Sequence, residues 1–245
     1  MEIVTRFAPS PTGRLHLGHA WSAILAHDYA RAHKGRFLLR IEDIDGTRSR
    51  PEHVAAILAD MEWLGLGYDG DVTFQSERLS LYEAALDRLR AMGLLYPCFC
   101  TRADIAASLT APHGPEGAVY PGTCRGLAAP DLTKPHCWRL DMAAASILPG
   151  TGRGTAPEGR GGGGVPPIVS LADNPLHQPA AGPLPRARED LLWHDHGIPI
   201  PANPRPQGDV VLARKDAPAS YHLAVTVDDA AQHITHVIRG EDLFH

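Results

Sequence analysis

Arg6-Phe7-Ala8-Pro9-Ser10-Pro11-Thr12-Gly13-Arg14-Leu15-His16-Leu17-Gly18-His19 decides the architecture of this chain. Ile3, Val4 and Phe7 read as a short strand, and Pro9, Pro11 and Gly13 end it in a turn. Ala20 to Lys34 reads as a helix, with Ile24, Leu25 and Tyr29 at helical spacing and Gly35 as its stop. A helix N-terminus presents unpaired N–H groups and a partial positive charge, which suits phosphate oxygens. His16 and His19, three residues apart at that mouth, can donate hydrogen bonds to a phosphate as its charge develops. Gly18 between them lets a nucleotide approach the backbone closely.

Arg36-Phe37-Leu38-Leu39-Arg40-Ile41-Glu42 reads as a second strand, so strand, helix and strand form a βαβ unit. Such units are right-handed, build parallel sheets and hold ligands at the carboxyl ends of their strands. Glu42, Asp43 and Asp45 sit at such an end. Pro51 to Leu64 reads as a helix with Val54, Ile57, Leu58 and Met61 on one face. Ser80-Leu81-Tyr82-Glu83 has the form of a capping box for a helix that carries Leu86 and Leu89 and stops near Gly93. Asp209–Ala213, Tyr221–Val227 and Ile234–Ile238 read as further strands. The stretch from about 147 to 207, with Gly161 to Gly164 in a row and many prolines, reads as irregular or disordered.

A length of 245 residues suits one sizeable domain with an insertion, or two small domains, and a hydrophobic content of 44% supplies a core. No apolar run approaches the roughly 20 residues of a membrane helix, so no membrane partner is expected. Met1 to Phe7 has no signal-peptide pattern, so a cytoplasmic protein is expected. Four cysteines fit that compartment if they stay reduced or bind metal. The net charge of −5 does not favour nucleic acid, so an RNA partner requires a local basic face.

The run from Arg6 to His19 resembles the ATP-binding signature of class I aminoacyl-tRNA synthetases in its glutamyl/glutaminyl form. Leu39-Arg40-Ile41-Glu42-Asp43-Ile44-Asp45 is similar to the segment after the second strand of those enzymes. Ser220-Tyr221-His222-Leu223-Ala224-Val225-Thr226-Val227-Asp228-Asp229 and Thr235-His236-Val237-Ile238-Arg239-Gly240-Glu241-Asp242 resemble later segments of the same family, in the same order. The resemblance implies an α/β fold with a Rossmann-like class I catalytic core. It implies ATP contacts at Pro9, Ser10, Thr12, Gly13, His16, Gly18 and His19, with His16 and His19 catalytic, and glutamate contacts at Arg6, Phe7, Ala8, Pro9, Ser10, Glu42, Tyr221 and Arg239. The chemistry agrees: arginines can grip carboxylates with a bidentate fork, Glu42 can accept from an ammonium, and Tyr221 adds a hydroxyl. The implied reaction is attack of the glutamate α-carboxylate on the ATP α-phosphate, with Mg²⁺ neutralising the phosphates and positioning doing the catalysis.

Cys98-x-Cys100 followed by Tyr120-x₃-Cys124 places three thiols and a phenol close in sequence, and a structural zinc site uses four ligands. Reduced buried thiols are the alternative, His113 is a possible substitute ligand, and Cys137 lies outside the pattern. The spacing is similar to that of the glutamyl-Q tRNA(Asp) synthetases, in which these four positions bind zinc. That family lacks an anticodon-binding domain and attaches glutamate to the queuosine base at the wobble position of tRNA(Asp). The resemblance therefore implies the tRNA(Asp) anticodon stem-loop as partner, and a monomer is expected. The expected organisation is a discontinuous core over 1–97 and 208–245, a zinc-binding acceptor-type insertion over 98–146 and the Gly/Pro-rich segment over 147–207. The sequence ends at His245 without a loop resembling Lys-Met-Ser-Lys-Ser, so a C-terminally truncated core is expected. A shortened glutamyl-tRNA synthetase that charges tRNA(Glu) and a non-catalytic nucleotide- or glutamate-binding remnant stand as alternatives.

Overall fold

The structure is a computed structural model, and it describes residues 2–101, 103–105, 119–146, 192–195, 198–201 and 204–239. His113, Gly161 to Gly164 and Gly240 to His245 lie outside the described residues, and with them the readings made on those positions.

The first half is a βαβαβ unit. Strand β1 (Val4–Phe7) leads to helix α1 (Leu17–Ala32), strand β2 (Arg36–Ile41), helix α2 (Pro51–Trp63) and strand β3 (Thr73–Phe74). The three strands are parallel in the order β1-β2-β3, with Val4 opposite Arg36 and Arg40 opposite Thr73. All four residues of β1 are buried, as expected for a parallel strand covered on both faces. Helix α1 lays Ala23, Ala26 and Ala30 on the sheet, and these small side chains let the Thr5 hydroxyl reach the Ala26 carbonyl at 2.8 Å. Phe7, Phe37, Leu39, Ile41, Ile57, Met61 and Leu66 fill the core between sheet and helices.

Helix α1 ends differently from the sequence reading. Lys34, not Gly35, takes the left-handed conformation, with φ 55°. Gly35 is required for another reason: a Cβ there would lie 2.2 Å from the Ile3 carbonyl oxygen, where β2 enters the sheet beside β1.

A short 3₁₀ turn (Gln75–Arg78) runs into helix α3 (Leu79–Ala91), which buries Tyr82 and Leu86. The capping box expected at Ser80–Glu83 is not formed: helix α3 begins at Leu79, and the preceding 3₁₀ turn supplies its entry. Strands β4 (Leu95–Cys98) and β5 (Cys137–Leu140) pair antiparallel, the short helix α4 (Met142–Ala145) follows, and strand β8 (Val211–Ala213) adds to β5. This sheet crosses the expected boundary at 97/98, because β4 contains that bond and β8 comes from the distal core segment.

Within the stretch expected to be irregular, strands β6 (Leu192–Asp195) and β7 (Ile198–Pro201) form an antiparallel hairpin. Two prolines in four residues hide β7 from a propensity reading, since each lacks a ladder donor.

The largest correction concerns Tyr221–Val227, expected as a strand. It is the first part of helix α5 (Tyr221–Ala231). The β-branched run Val225-Thr226-Val227 favours a strand, but Ser220 caps the helix by accepting the Leu223 N–H at 3.3 Å. Leu223, Ala224 and Asp228 are buried along one side, a helical spacing, and the Thr226 hydroxyl is satisfied by the His222 carbonyl at 2.7 Å. Ile234–Ile238 forms no ladder. Its Thr235 and His236 N–H groups converge on the Val4 carbonyl, at 2.9 and 3.2 Å, beside β1. Among the described residues, no helix is long and apolar enough to cross a membrane.

Candidate active site

The turn after β1 and the start of α1 form one wall of the site. His16 is the N-cap of α1, and its Nδ1 accepts the Gly18 N–H at 3.1 Å. His19 reaches back, its Nδ1 accepting the His16 N–H at 3.3 Å. The pair is a capping box built from two histidines, with rings stacked at a centroid distance of 3.8 Å. Because both Nδ1 atoms accept, the neutral rings carry their protons on Nε2, where they can donate to a ligand. Burial and the neighbouring His16 hold His19 below the usual imidazole pKa, which keeps that ring neutral near pH 7. The Glu42 N–H donates to the Pro9 carbonyl at 3.0 Å and the Arg50 N–H to the Pro11 carbonyl at 3.1 Å. These two bonds tie the turn to the carboxyl end of β2.

Behind the turn lies a cluster of buried charge. The Arg6 Nε and Nη2 both bind Asp229, at 3.1 and 3.2 Å. Arg40, with 0% exposure, donates to Asp229 Oδ1 and to the Gln232 amide oxygen, each at 2.8 Å. Its Nε finds no hydrogen-bond partner, although Asp228 Oδ2 lies 3.9 Å away. Asp228 is fully buried and accepts from Gln75 Nε2 at 2.8 Å, Arg78 Nε at 2.7 Å and the Tyr82 hydroxyl at 2.8 Å. Glu42, its side chain 8% exposed, lies 3.9 Å from Arg40. Burial pushes the Glu42 carboxyl up to about 7, against the pull of Arg40 and Arg6, with Asp229 and Asp228 adding to the rise.

Helix α5 reaches the same region from the far end of the chain. Tyr221, in its first turn, accepts a hydrogen bond from Arg239 Nη2 at 2.8 Å. The structure thus places Arg6 and Glu42 at strand ends beside one charge cluster and pairs Tyr221 with Arg239. It shows Arg6 already engaged by Asp229 through Nε and one Nη2 hydrogen, which leaves the Nη1–Nη2 edge for a ligand. Phe7 and Pro9 are buried, whereas Ser10 and Thr12 are exposed in the turn. Asp43 is turned away from the charge cluster, accepting the Ser76 N–H and hydroxyl at 2.9 and 2.6 Å. A cavity of about 540 Å³ lined by Asp43, Arg50, Val54, Phe74 and Ser76 opens beside it.

Arg40, Asp228, Asp229, Gln75 and Arg78 received no role from the sequence. The available signal was Arg40 itself, a cation inside the apolar run Phe37-Leu38-Leu39-Arg40-Ile41, which demands a buried partner.

The second candidate site lies where β4 ends. The sulfur atoms of Cys98, Cys100 and Cys124 all lie within 4.8 Å of one another. Cys100 and Cys124 Sγ are 3.5 Å apart, and the Tyr120 hydroxyl is 3.3 Å from Cys98 Sγ and 3.8 Å from Cys100 Sγ. Tetrahedral zinc bonds require S···S of roughly 3.8 Å and S···O of roughly 3.5 Å, so the four atoms are already close to that shell. The Cys124 N–H donates to the Tyr120 oxygen at 2.8 Å, and the Arg139 guanidinium lies 3.9 Å from the Tyr120 ring centroid. The Cys124 N–H favours negative charge on the phenol oxygen, but burial and the Cys98 and Cys124 thiols outweigh it and hold the Tyr120 hydroxyl well above the usual phenol range. Burial raises the Cys98 thiol, but Tyr120 and Arg139 outweigh it and bring the group to about 7. Cys137 stands apart, its thiol donating to the Cys98 carbonyl at 3.5 Å.

The family model for the catalytic domain of class I tRNA synthetases (E and Q) matches residues 2–130 and 197–245. A glutamyl-Q tRNA(Asp) synthetase of Rhodobacter capsulatus is 47% identical over 253 residues, spanning 99% of this chain and 78% of the relative. Proteins of the same name from Nocardia farcinica and Symbiobacterium thermophilum are 43% and 41% identical, and in each the match spans 97% of this chain. It spans 63% and 65% of their own lengths, so the chain covers somewhat under two thirds of these two relatives. Among solved structures, a glutamate tRNA ligase of Elizabethkingia meningosepticum in complex with its amino acid aligns with a TM-score of 0.67 at 23% identity. That alignment covers 100% of this chain and 45% of the ligase, a likeness of fold.

Proposed function

Because this chain belongs to the class I tRNA synthetases of the glutamyl/glutaminyl group, and within them to the glutamyl-Q tRNA(Asp) synthetase family, we propose that it activates L-glutamate with ATP and transfers the glutamyl group to queuosine in tRNA(Asp). The observation that carries the reading is the Glu42 N–H to Pro9 carbonyl bond, which sets a buried carboxyl beside the turn that feeds the two histidines.

In this mechanism the glutamate α-carboxylate attacks the α-phosphorus of ATP, the bond to pyrophosphate breaks, and glutamyl adenylate forms. An RNA hydroxyl then takes the acyl group and AMP leaves. The Nε2–H groups of His16 and His19, with Ser10, Thr12 and the start of α1, hold the nucleotide phosphates. Pro9, Gly13 and Gly18 let the nucleotide lie against the backbone. Arg6 through its Nη1–Nη2 edge and Arg239 grip the glutamate carboxylates, Phe7 and Ala8 line the path to them, Glu42 accepts from the ammonium, and the Tyr221 hydroxyl orients the substrate. Mg²⁺ neutralises charge on the phosphates when bound.

Zn²⁺ is the metal that suits Cys98, Cys100, Cys124 and Tyr120, given the three thiolates and the separations of the four atoms. It would hold the loops carrying these residues to β4, with no part in the reaction. The division into a core over 1–97 and 208–245 and an insertion from 98 is kept as a functional one, the first binding ATP and glutamate and the second meeting RNA. The tRNA partner is taken to present its anticodon stem-loop to a monomer in the cytoplasm.

The test is glutamate-dependent exchange of labelled pyrophosphate into ATP without tRNA, followed by transfer of labelled glutamate to queuosine-bearing tRNA(Asp) and to tRNA(Glu). Exchange without tRNA and transfer to tRNA(Asp) alone support the proposal. Transfer to tRNA(Glu) replaces it with a glutamyl-tRNA synthetase, and absence of exchange from folded protein replaces it with a binding protein.

A further inference from the structure

Arg6 is the residue that the proposed function assigns to a glutamate carboxylate, yet its guanidinium does not stand alone. Its Nε and Nη2 face the two carboxylate oxygens of Asp229, one bond to each. That side-on fork fixes the plane of the guanidinium and turns its Nη1–Nη2 edge toward a ligand. Asp229 is itself fixed, since its Oδ1 also accepts from Arg40 Nη2 at 2.8 Å. Arg40 is rooted in the centre of the parallel sheet and held at its other nitrogen by Gln232. Gln232 in turn donates to the Thr73 hydroxyl of β3 at 3.0 Å. The chain of contacts therefore runs from β3 through α5 to β1 without a gap.

We propose that Asp229, held by Arg40, is the positioning residue that orients Arg6 toward the glutamate carboxylate, an inference that rests on Arg6 being a glutamate contact. Two features favour positioning over simple charge balance. The first is geometry: a carboxylate that only neutralised Arg6 would not need one oxygen on each of two nitrogens. The second is placement, for Asp229 is 22% exposed at its side chain while its neighbour Asp228 is fully buried and makes no hydrogen bond to Arg6. The two adjacent carboxylates divide the work. Asp228 joins α5 to Gln75, Arg78 and Tyr82, and Asp229 joins it to the residue that meets substrate.

The experiment measures equilibrium dissociation constants for L-glutamate and for ATP, separately, on the full chain by titration calorimetry. The variants are Asp229→Asn, Asp229→Glu, Arg6→Lys and Tyr82→Phe. Asp229→Asn loses one arm of the fork and is expected to weaken glutamate about 10- to 100-fold with ATP within about two-fold. Asp229→Glu keeps the charge, and so remains folded if Asn does not, but moves the carboxylate by one methylene; it too should weaken glutamate selectively. Tyr82→Phe lowers stability through Asp228 and should leave the ratio of the two constants unchanged, which separates positioning from general loosening. Parental glutamate affinity in a folded Asp229 variant, or equal weakening of glutamate and ATP, overturns the proposal. Arg6→Lys with parental glutamate affinity overturns the assignment of Arg6 as a glutamate contact and the positioning role with it. Weakening in Arg6→Lys without weakening in the Asp229 variants overturns the positioning role alone.

Discussion

His19 closes the first turn of α1 on His16: its Nδ1 accepts the His16 backbone N–H while the two rings stack 3.8 Å apart. Between them, a Cβ on Gly18 would come 3.1 Å from the His16 ring. Gly18→Ala should therefore displace the His16 imidazole. Misplacement of a catalytic group by about 1 Å costs about 10²-fold, and pyrophosphate exchange should fall by that order. The helix propensity gained with alanine, up to about 1 kcal/mol, offsets a loss of similar size from the displaced His16 cap, so the melting temperature should change little. Lost exchange with retained stability supports the role of His16; parental exchange removes it.

Glu42 gives a pH signature. Its folded pKa of about 7 lies above the unfolded value, so the fold favours the protonated form. That contribution is complete below about pH 4 and is lost as pH rises through 7. Relative to Glu42→Gln, the parent chain should lose up to about 3 kcal/mol of stability between pH 4 and 8. Urea unfolding of both proteins across that range is the measurement, and parallel curves would falsify the burial argument.

Asp228 predicts a stability effect without a site effect. Removing it leaves Arg78 and the fully buried Arg40 without that neighbouring negative charge, so Asp228→Ala should cost about 3–5 kcal/mol. Tyr82→Phe removes one hydrogen bond to a charged group and should cost about 1.5–3 kcal/mol. Denaturant midpoints order the two, and the reverse order would show that the Asp228 charge does not hold Arg40 and Arg78 in place.

The sulfur cluster predicts metal content. The chain as purified should carry one zinc per molecule, and Tyr120→Phe should weaken that binding while Cys137→Ser leaves it unchanged. Elemental analysis after dialysis against a mild chelator reads both. A chelator should also lower the melting temperature, because a structural zinc site contributes folding energy directly. Zinc retained equally by Tyr120→Phe would mean that the fourth ligand is another group.

The first half of the fold was legible because its signals are local: β1, α1, β2 and α2 each follow from period, proline and glycine within one element. Helix α5 was not, since the β-branched run at 225–227 outweighed the cap at Ser220 and the spacing of buried Leu223 and Asp228. The β6–β7 hairpin was hidden by its prolines. At the site, the motif residues could be read individually, but their partners could not. Nothing near Arg6 in the sequence names Asp229, and a side chain that satisfies a distant charge leaves no periodic trace. Asp43 illustrates the reverse: it stands beside Glu42 in the chain, but in the irregular segment after β2 its carboxylate is taken by the Ser76 N–H and hydroxyl.

Arg6 and Asp229 are 223 residues apart, and Arg40 and Asp229 are 189 apart. During synthesis both arginines leave the ribosome long before their carboxylate exists. At about 5–20 residues per second the interval is on the order of ten seconds or more. Over that time the βαβαβ unit can form its apolar core but must keep two cations wet, which favours an open, loosely docked sheet. The Arg6–Asp229–Arg40 cluster is thus assembled last, by closure of a very long loop, and contact order rather than helix or strand formation should set the pace at which newly made molecules reach the native state.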